Sequence, residues 1–166
     1  MKNSDKLSKK EVDRASFNTN KNLILIFKEN KKLLNKLREI KQKYKLSNNE
    51  FLNLIKKHIP VPISIFKYAS PLEALVKYLK DNLGLSLHEI ASLLNRDQRT
   101  IWTTYNNASK KITKLDITSK IIVPLKFLSY RELSVLENLV SYLVEEKFSL
   151  VKIAELLNRD YQTIWT

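Results

Sequence analysis

The chain has 166 residues, 43% of them hydrophobic, enough for one ordinary domain or several small ones, and its longest apolar run is far short of the roughly 20 residues that span a membrane. It has no cysteine, one glycine and two histidines, His58 and His88, which leaves little for thiol chemistry, a histidine-based metal site or a glycine-rich phosphate loop; no catalysis, cofactor or metal is expected. A net charge of +13 and a pI near 9.8 point to a polyanionic partner, nucleic acid before an acidic membrane surface.

Residues 1–20 are lysine-rich without apolar periodicity and read as a disordered basic arm. In the segment 21–58, Leu23, Phe27, Leu34, Leu37, Ile40 and Tyr44 recur at helical spacing and predict an amphipathic helix of about six turns. Its lysines, Lys28, Lys31, Lys32, Lys36, Lys41 and Lys43, fall mainly on the other faces, as a solvated surface or as phosphate contacts. The apolar stripe packs either on the chain's own helices or in a coiled-coil dimer. Ser47 and Glu50 then form a capping box, with Leu46 and Phe51 spaced as its hydrophobic staple, and open a helix that must end before Pro60.

Two units follow, 59–112 and 113–166. Each begins with an extended apolar lead-in, Ile59 to Phe66 and Ile122 to Phe127, expected to pack across its own three-helix core. The first helix of each unit opens at Ser70-Pro-Leu-Glu73 and Ser134-Val-Leu-Glu137, both with the spacing of a capping box. Leu72, Leu75, Val76, Leu79 and Leu83 make one apolar face, matched by Leu136, Leu139, Val140 and Leu143. The next helix opens at Ser86 with Glu89 three residues on, whereas its counterpart at Ser149 keeps the cap but has Lys152 in place of the glutamate, and should start less firmly.

The phrase from Ile90 to Thr103 returns as Ile153 to Thr166, with eleven of fourteen positions identical; the three differences are Ser92/Glu155, Gln98/Tyr161 and Arg99/Gln162. In a helix-turn-helix reading, Ala91 and Ala154 permit close backbone approach where two helices cross. Asn95 needs a left-handed backbone at the turn, which asparagine tolerates next best after glycine. Asp97 caps the following helix, and Ile101 and Tyr105 face inward. Gln98, Arg99, Trp102, Thr103 and Asn106 are left on the outer face, where glutamine and arginine have strong pairing geometries with adenine and guanine. The second copy offers Tyr161, Gln162 and Trp165. Trp102 and Trp165 have two readings, as half-covered packing residues or as side chains offered to bases. His88 reads as an exposed surface histidine.

The stretch from Leu85 to Trp102 and its copy resembles the helix-turn-helix of sigma-factor region 4 and the amino-terminal helix-turn-helix of insertion-sequence transposases. The resemblance implies that the helices beginning near Gln98 and Tyr161 enter the major groove. Asn95 departs from the usual glycine and Arg96 from the usual apolar residue of the sigma-type motif. Nothing in the chain resembles the other machinery of either family.

The charge is uneven. Residues 1–60 carry 16 Lys and Arg against 6 Asp and Glu, residues 61–112 carry 7 against 4, and residues 113–166 carry 7 against 7. Phosphate contacts are expected from Arg96, Arg159, Lys110, Lys111 and the amino-terminal lysines. A linker from Ser109 to Lys120 spans up to roughly 40 Å if extended, more than the ~34 Å between successive major grooves on one face of a duplex. The expectation is therefore an all-α, cytoplasmic and nucleoid-associated protein. It has two tandem three-helix units behind a basic helical segment, and it binds an asymmetric bipartite site on double-stranded DNA as a transcriptional regulator. The alternatives are a DNA-targeting module of a mobile-element protein, and an adaptor that docks its neutral second unit on RNA polymerase or another protein. The second copy stops about two helical turns early, before the counterparts of Tyr105 and the lysine pair, so the sequence reads as a fragment or, alternatively, the second unit as a degenerate remnant lacking part of its core.

Overall fold

The computed structural model describes residues 31–165. The expected disordered arm and the first turns of the amino-terminal helix, with Leu23, Phe27 and Lys28, lie outside the described residues. The architecture is mostly helical: α1 (31–43), α2 (Asn48–His58), α3 (Pro71–Lys77), α4 (Leu87–Leu93), α5 (Gln98–Lys111), α6 (Val135–Glu145), α7 (Leu150–Leu157) and α8 (Tyr161–Trp165). Two short strands, β1 (Pro60–Pro62) and β2 (Ile122–Pro124), each lead into a 3-10 turn, Ile63–Lys67 and Leu125–Leu128. Among the described residues, no helix is long and apolar enough to cross a membrane.

The caps follow the serines, with one exception. Ser47, Ser86 and Ser134 each accept from the backbone N–H three residues on while the glutamate there reaches back, a complete capping box. Ser149 keeps only its own half, as Lys152 dictates, and the Lys152 ammonium pairs with Glu155 at 2.8 Å instead. At Ser70 the expected box does not form. The Glu73 carboxylate is taken by Lys111 from the end of α5, at 2.8 Å, and Pro71 alone sets the first helical turn.

α1 packs on the body of the protein through buried Leu34 and Leu37, which join a single core containing residues of both repeats. Lys41 sits over the Phe51 ring at 4.8 Å and donates to Asn48 Oδ1 at 2.7 Å, tying α1 to α2.

The lead-ins depart from expectation. Neither stays extended through its apolar run, and neither simply crosses its own unit. They pair with each other, antiparallel, with Val61 opposite Val123 and Pro60 opposite Pro124. Ile63 N donates to Ile121 O and Leu125 N to Ile59 O, both at 3.0 Å. Prolines lack the donor N–H, so such a ladder is confined to two short edge segments. The turn after β1 packs on α3 of its own repeat and on α7 of the other.

Val61 and Val123 are equivalent in the two repeats and face one another, and the bonds on either side of them are exchanged, so the lead-ins are related by a rotation of half a turn about an axis between Val61 and Val123. The linker does not float between them. Ser64, 1% exposed, donates to the Asp116 carbonyl at 2.8 Å and accepts from Ser119 N at 3.1 Å, while Leu115, Ile117 and Ile121 pack against the core.

The repeats differ in two places, and each difference has a local device. The run from Ser70 to left-handed Gly84 is one residue longer than that from Ser134 to left-handed Lys147, and the extra residue is taken up by a π turn, Tyr78–Asn82, with Leu83 N bonded to Tyr78 O. Conversely, the loop from Pro124 to Ser134 is two residues longer than that from Pro62 to Ser70. Asn138, at the position of Ala74, is buried and donates Nδ2–H to Tyr130 O at 2.9 Å within that loop.

Candidate nucleic-acid interface

Each repeat places a tight turn between its second and third helices. Asn95 and Asn158 adopt φ of 51° and 50°, the left-handed conformation expected of them. Arg96 N donates to Ala91 O at 2.9 Å and Arg159 N to Ala154 O at 3.0 Å, closing the same turn twice. Ala91 and Ala154 are buried at the crossing. Asp97 Oδ1 accepts from Arg99 N (2.8 Å) and Thr100 N (3.3 Å), and Asp160 Oδ1 from Gln162 N (2.8 Å), which fixes the start of the third helix in each case.

Ile101 and Ile164 anchor these helices from beneath, at 0% and 6% exposure. Above them Gln98, Arg99, Trp102 and Thr103 are exposed on α5, with Asn106 half-buried; on α8, Tyr161, Gln162 and Trp165 are exposed. Trp102 is 57% and Trp165 72% accessible. The small turn residues hold each third helix close to its neighbour, and Trp102, one residue on from buried Ile101, is turned about 100° around the helix, away from the anchored side. Gln98 has a neighbour, His88 of α4, whose Nδ1 lies 3.4 Å from its Oε1.

The expected phosphate-contacting cations divide into two groups. Lys110 is exposed, whereas Lys111 is held by Glu73. Arg96 and Arg159 turn toward the opposite repeat. Arg96 Nη2 donates to Leu133 O at 3.4 Å, and Arg159 Nη2 donates to Ala69 O. Leu133 and Ala69 each immediately precede the N-cap serine of the other repeat's first helix, so the two contacts form a reciprocal clasp that obeys the same half-turn symmetry. The Arg159 Nε is buried without a hydrogen-bond partner.

The clasp escaped the sequence reading. A signal was present: both arginines survive in both copies while adjacent exposed positions changed, as befits a residue with one structural task. Tyr105, expected to face inward, is half-buried and gives its hydroxyl to Asp81 Oδ1 at 2.8 Å, beneath the Lys77 ammonium.

The described residues bring together no group of three or more His, Asp or Glu side chains able to hold a metal ion. The surface offers instead amide, guanidinium, indole, phenol and hydroxyl groups on two matched frameworks, and Lys31, Lys32, Lys36 and Lys43 of α1 are exposed. Comparison with protein-family models, with curated proteins and with solved structures found no match.

Proposed function

We propose that the chain is a sequence-specific DNA-binding protein, a transcriptional regulator without catalytic activity, built on two tandem helix-turn-helix units whose third helices read bases. One observation carries this reading. Where the repeated phrase differs, at Ser92/Glu155, Gln98/Tyr161 and Arg99/Gln162, every differing side chain is exposed, while the turn, the crossing alanine and the anchoring isoleucine are kept. Packing alone accounts for the fixed framework; it does not account for keeping a large exposed side chain in both copies, as Trp102 and Trp165 are kept beside the two divergent outward positions. A net charge of +13 supplies the attraction to a polyanion.

In this reading Arg99 and Gln98 serve one major groove and Tyr161 and Gln162 another, with Trp102 and Trp165 alongside. Lys110 and the exposed lysines of α1 hold phosphates. Selection from a random duplex pool tests it: the chain should enrich a defined sequence, and Arg99→Ala should relax preference at one position by about 1–3 kcal/mol. No enrichment over the input pool would overturn it.

A second reading rests on the neutral second repeat, which carries exposed Tyr130, Leu133, Val144 and Val151. These suit docking on a protein, RNA polymerase or another. Affinity for DNA that scarcely falls between low and moderate salt would favour that reading, because phosphate neutralisation makes binding steeply salt-dependent.

A further inference from the structure

We propose that the DNA target is an inverted pair of unlike half-sites held at one fixed spacing, not a direct repeat and not two independently placed sites; this rests on the DNA-binding reading above. Tandem repeats in sequence suggest readers related by translation along the chain. The structure relates them by rotation. Antiparallel pairing of Val61 with Val123, the exchanged bonds Ile63 N to Ile121 O and Leu125 N to Ile59 O, and the exchanged arginines to Leu133 O and Ala69 O all describe one half-turn axis.

The turn geometry is the same in both copies, with Asn95 and Asn158 within 1° in φ. The exchanged arginines, one residue before the cap of each third helix, carry the same relation to the starts of α5 and α8, although α7 lies on the first lead-in's turn and α4 does not lie correspondingly on the second. A half-turn leaves unchanged the component of any direction along its own axis, so if the outer face of α5 is presented toward a duplex lying across that axis, the outer face of α8 is too. The duplex has matching local two-fold axes relating its strands, and readers related by a two-fold meet half-sites of opposite polarity. The half-sites differ in sequence because Gln98 and Arg99 face one and Tyr161 and Gln162 the other.

Spacing is fixed for a separate reason. A free linker would let the two readers slide apart. Here the segment between α5 and β2 is pinned by Ser64 to Asp116 and Ser119, and three of its side chains pack into the core. The clasp adds a restraint at each turn.

The symmetry can be exposed by erasing the difference between the repeats. In the full chain, Gln98→Tyr with Arg99→Gln gives both third helices the same residues at the two divergent outward positions. All four side chains involved are exposed, and far-ultraviolet circular dichroism reports that the fold is kept. Sequence selection is then run on the parent and on the double variant. The parent should enrich two unlike half-sites, and the variant a palindrome in which the second parental half-site recurs in inverted orientation at the same spacing. Inserting about 5 base pairs, half a helical turn, between the half-sites should weaken binding at least about tenfold.

A direct repeat, a lone half-site, or indifference to the insertion would overturn the inverted, fixed-spacing arrangement and leave DNA binding itself standing. Failure of both proteins to enrich any sequence would overturn DNA binding first.

Discussion

At the scale of single residues, the contrast between the repeats shows which side chains answer a local need. Asn138 stands where the first repeat has Ala74, both buried, and its amide nitrogen donates to the Tyr130 carbonyl inside a loop two residues longer than its counterpart. Removing the amide takes the donor from the Tyr130 carbonyl and leaves space at a buried position. Asn138→Ala should therefore destabilise the protein by about 1–3 kcal/mol in chemical denaturation, whereas the converse Ala74→Asn buries an amide without a matching loop and should cost at least as much. The capping glutamates act through charge. Serine hydrogen bonds, from side chain and then backbone, hold the Glu50 and Glu137 carboxyls below the ordinary glutamate value of 4.5. A depressed folded-state value means stability that is present above the unfolded value and lost as pH falls through the folded one. Glutamine can fill the same box without titrating. The stability difference between the parent and the Glu50→Gln, Glu137→Gln variant should be present at neutral pH and close as the pH falls below the ordinary glutamate value of 4.5 and through the lower folded-state one, read as the gap between melting temperatures.

At the scale of elements, the turn between second and third helices decides whether the outward residues point anywhere useful. A β-carbon at left-handed φ costs roughly 1–2 kcal/mol unless glycine or a residue such as asparagine occupies the site. Asn158→Ala should thus lower stability by about 1 kcal/mol while Asn158→Gly is close to neutral, measured by urea denaturation. This much was legible in the chain, because capping, turn and burial are written in residues within five of one another: Ser86 with Glu89, Ala91, Asn95, Asp97, Ile101. The exposure of Gln98 and Arg99 followed from the same local periodicity. The partner of each lead-in was not legible. Ile59 to Phe66 announces an apolar extended stretch, but its partner lies more than 60 residues away and its prolines disguise the strand. Nor was the destination of Glu73, which has capping spacing but sits within reach of Lys111 only once α5 folds back along α3. Local competition for a carboxylate is readable from spacing; competition from a distant ammonium depends on the assembled fold.

At the scale of the whole molecule, the two repeats behave as the halves of a dimer joined in one chain. The sequence divides into two units joined by a linker. Two observations tie them together: the core runs without a break from Leu34 through Leu75 and Val123 to Leu139 and Ile153, and the clasp places a donor from each turn on the loop of the other half. The lead-ins are the seam. Val61 and Val123 are fully buried and lie opposite one another on the seam, so melting one repeat uncovers the other's lead-in and removes support beneath its turn. Coupling of this kind merges local openings into a single cooperative event. Amide hydrogen exchange gives the measurement, because it reports opening free energies residue by residue. Leu75 in α3 and Leu139 in α6, both fully buried, should exchange with the same opening free energy, equal to that of global unfolding. Val61→Asp, which buries a carboxylate on the seam, should lower both values together. If instead α6 opens at lower free energy than α3, and Val61→Asp lowers only the α3 value, the halves fold separately. The arginine clasp would then be a surface contact between two neighbours, and the fixed spacing inferred for the two outward helices would lose its support.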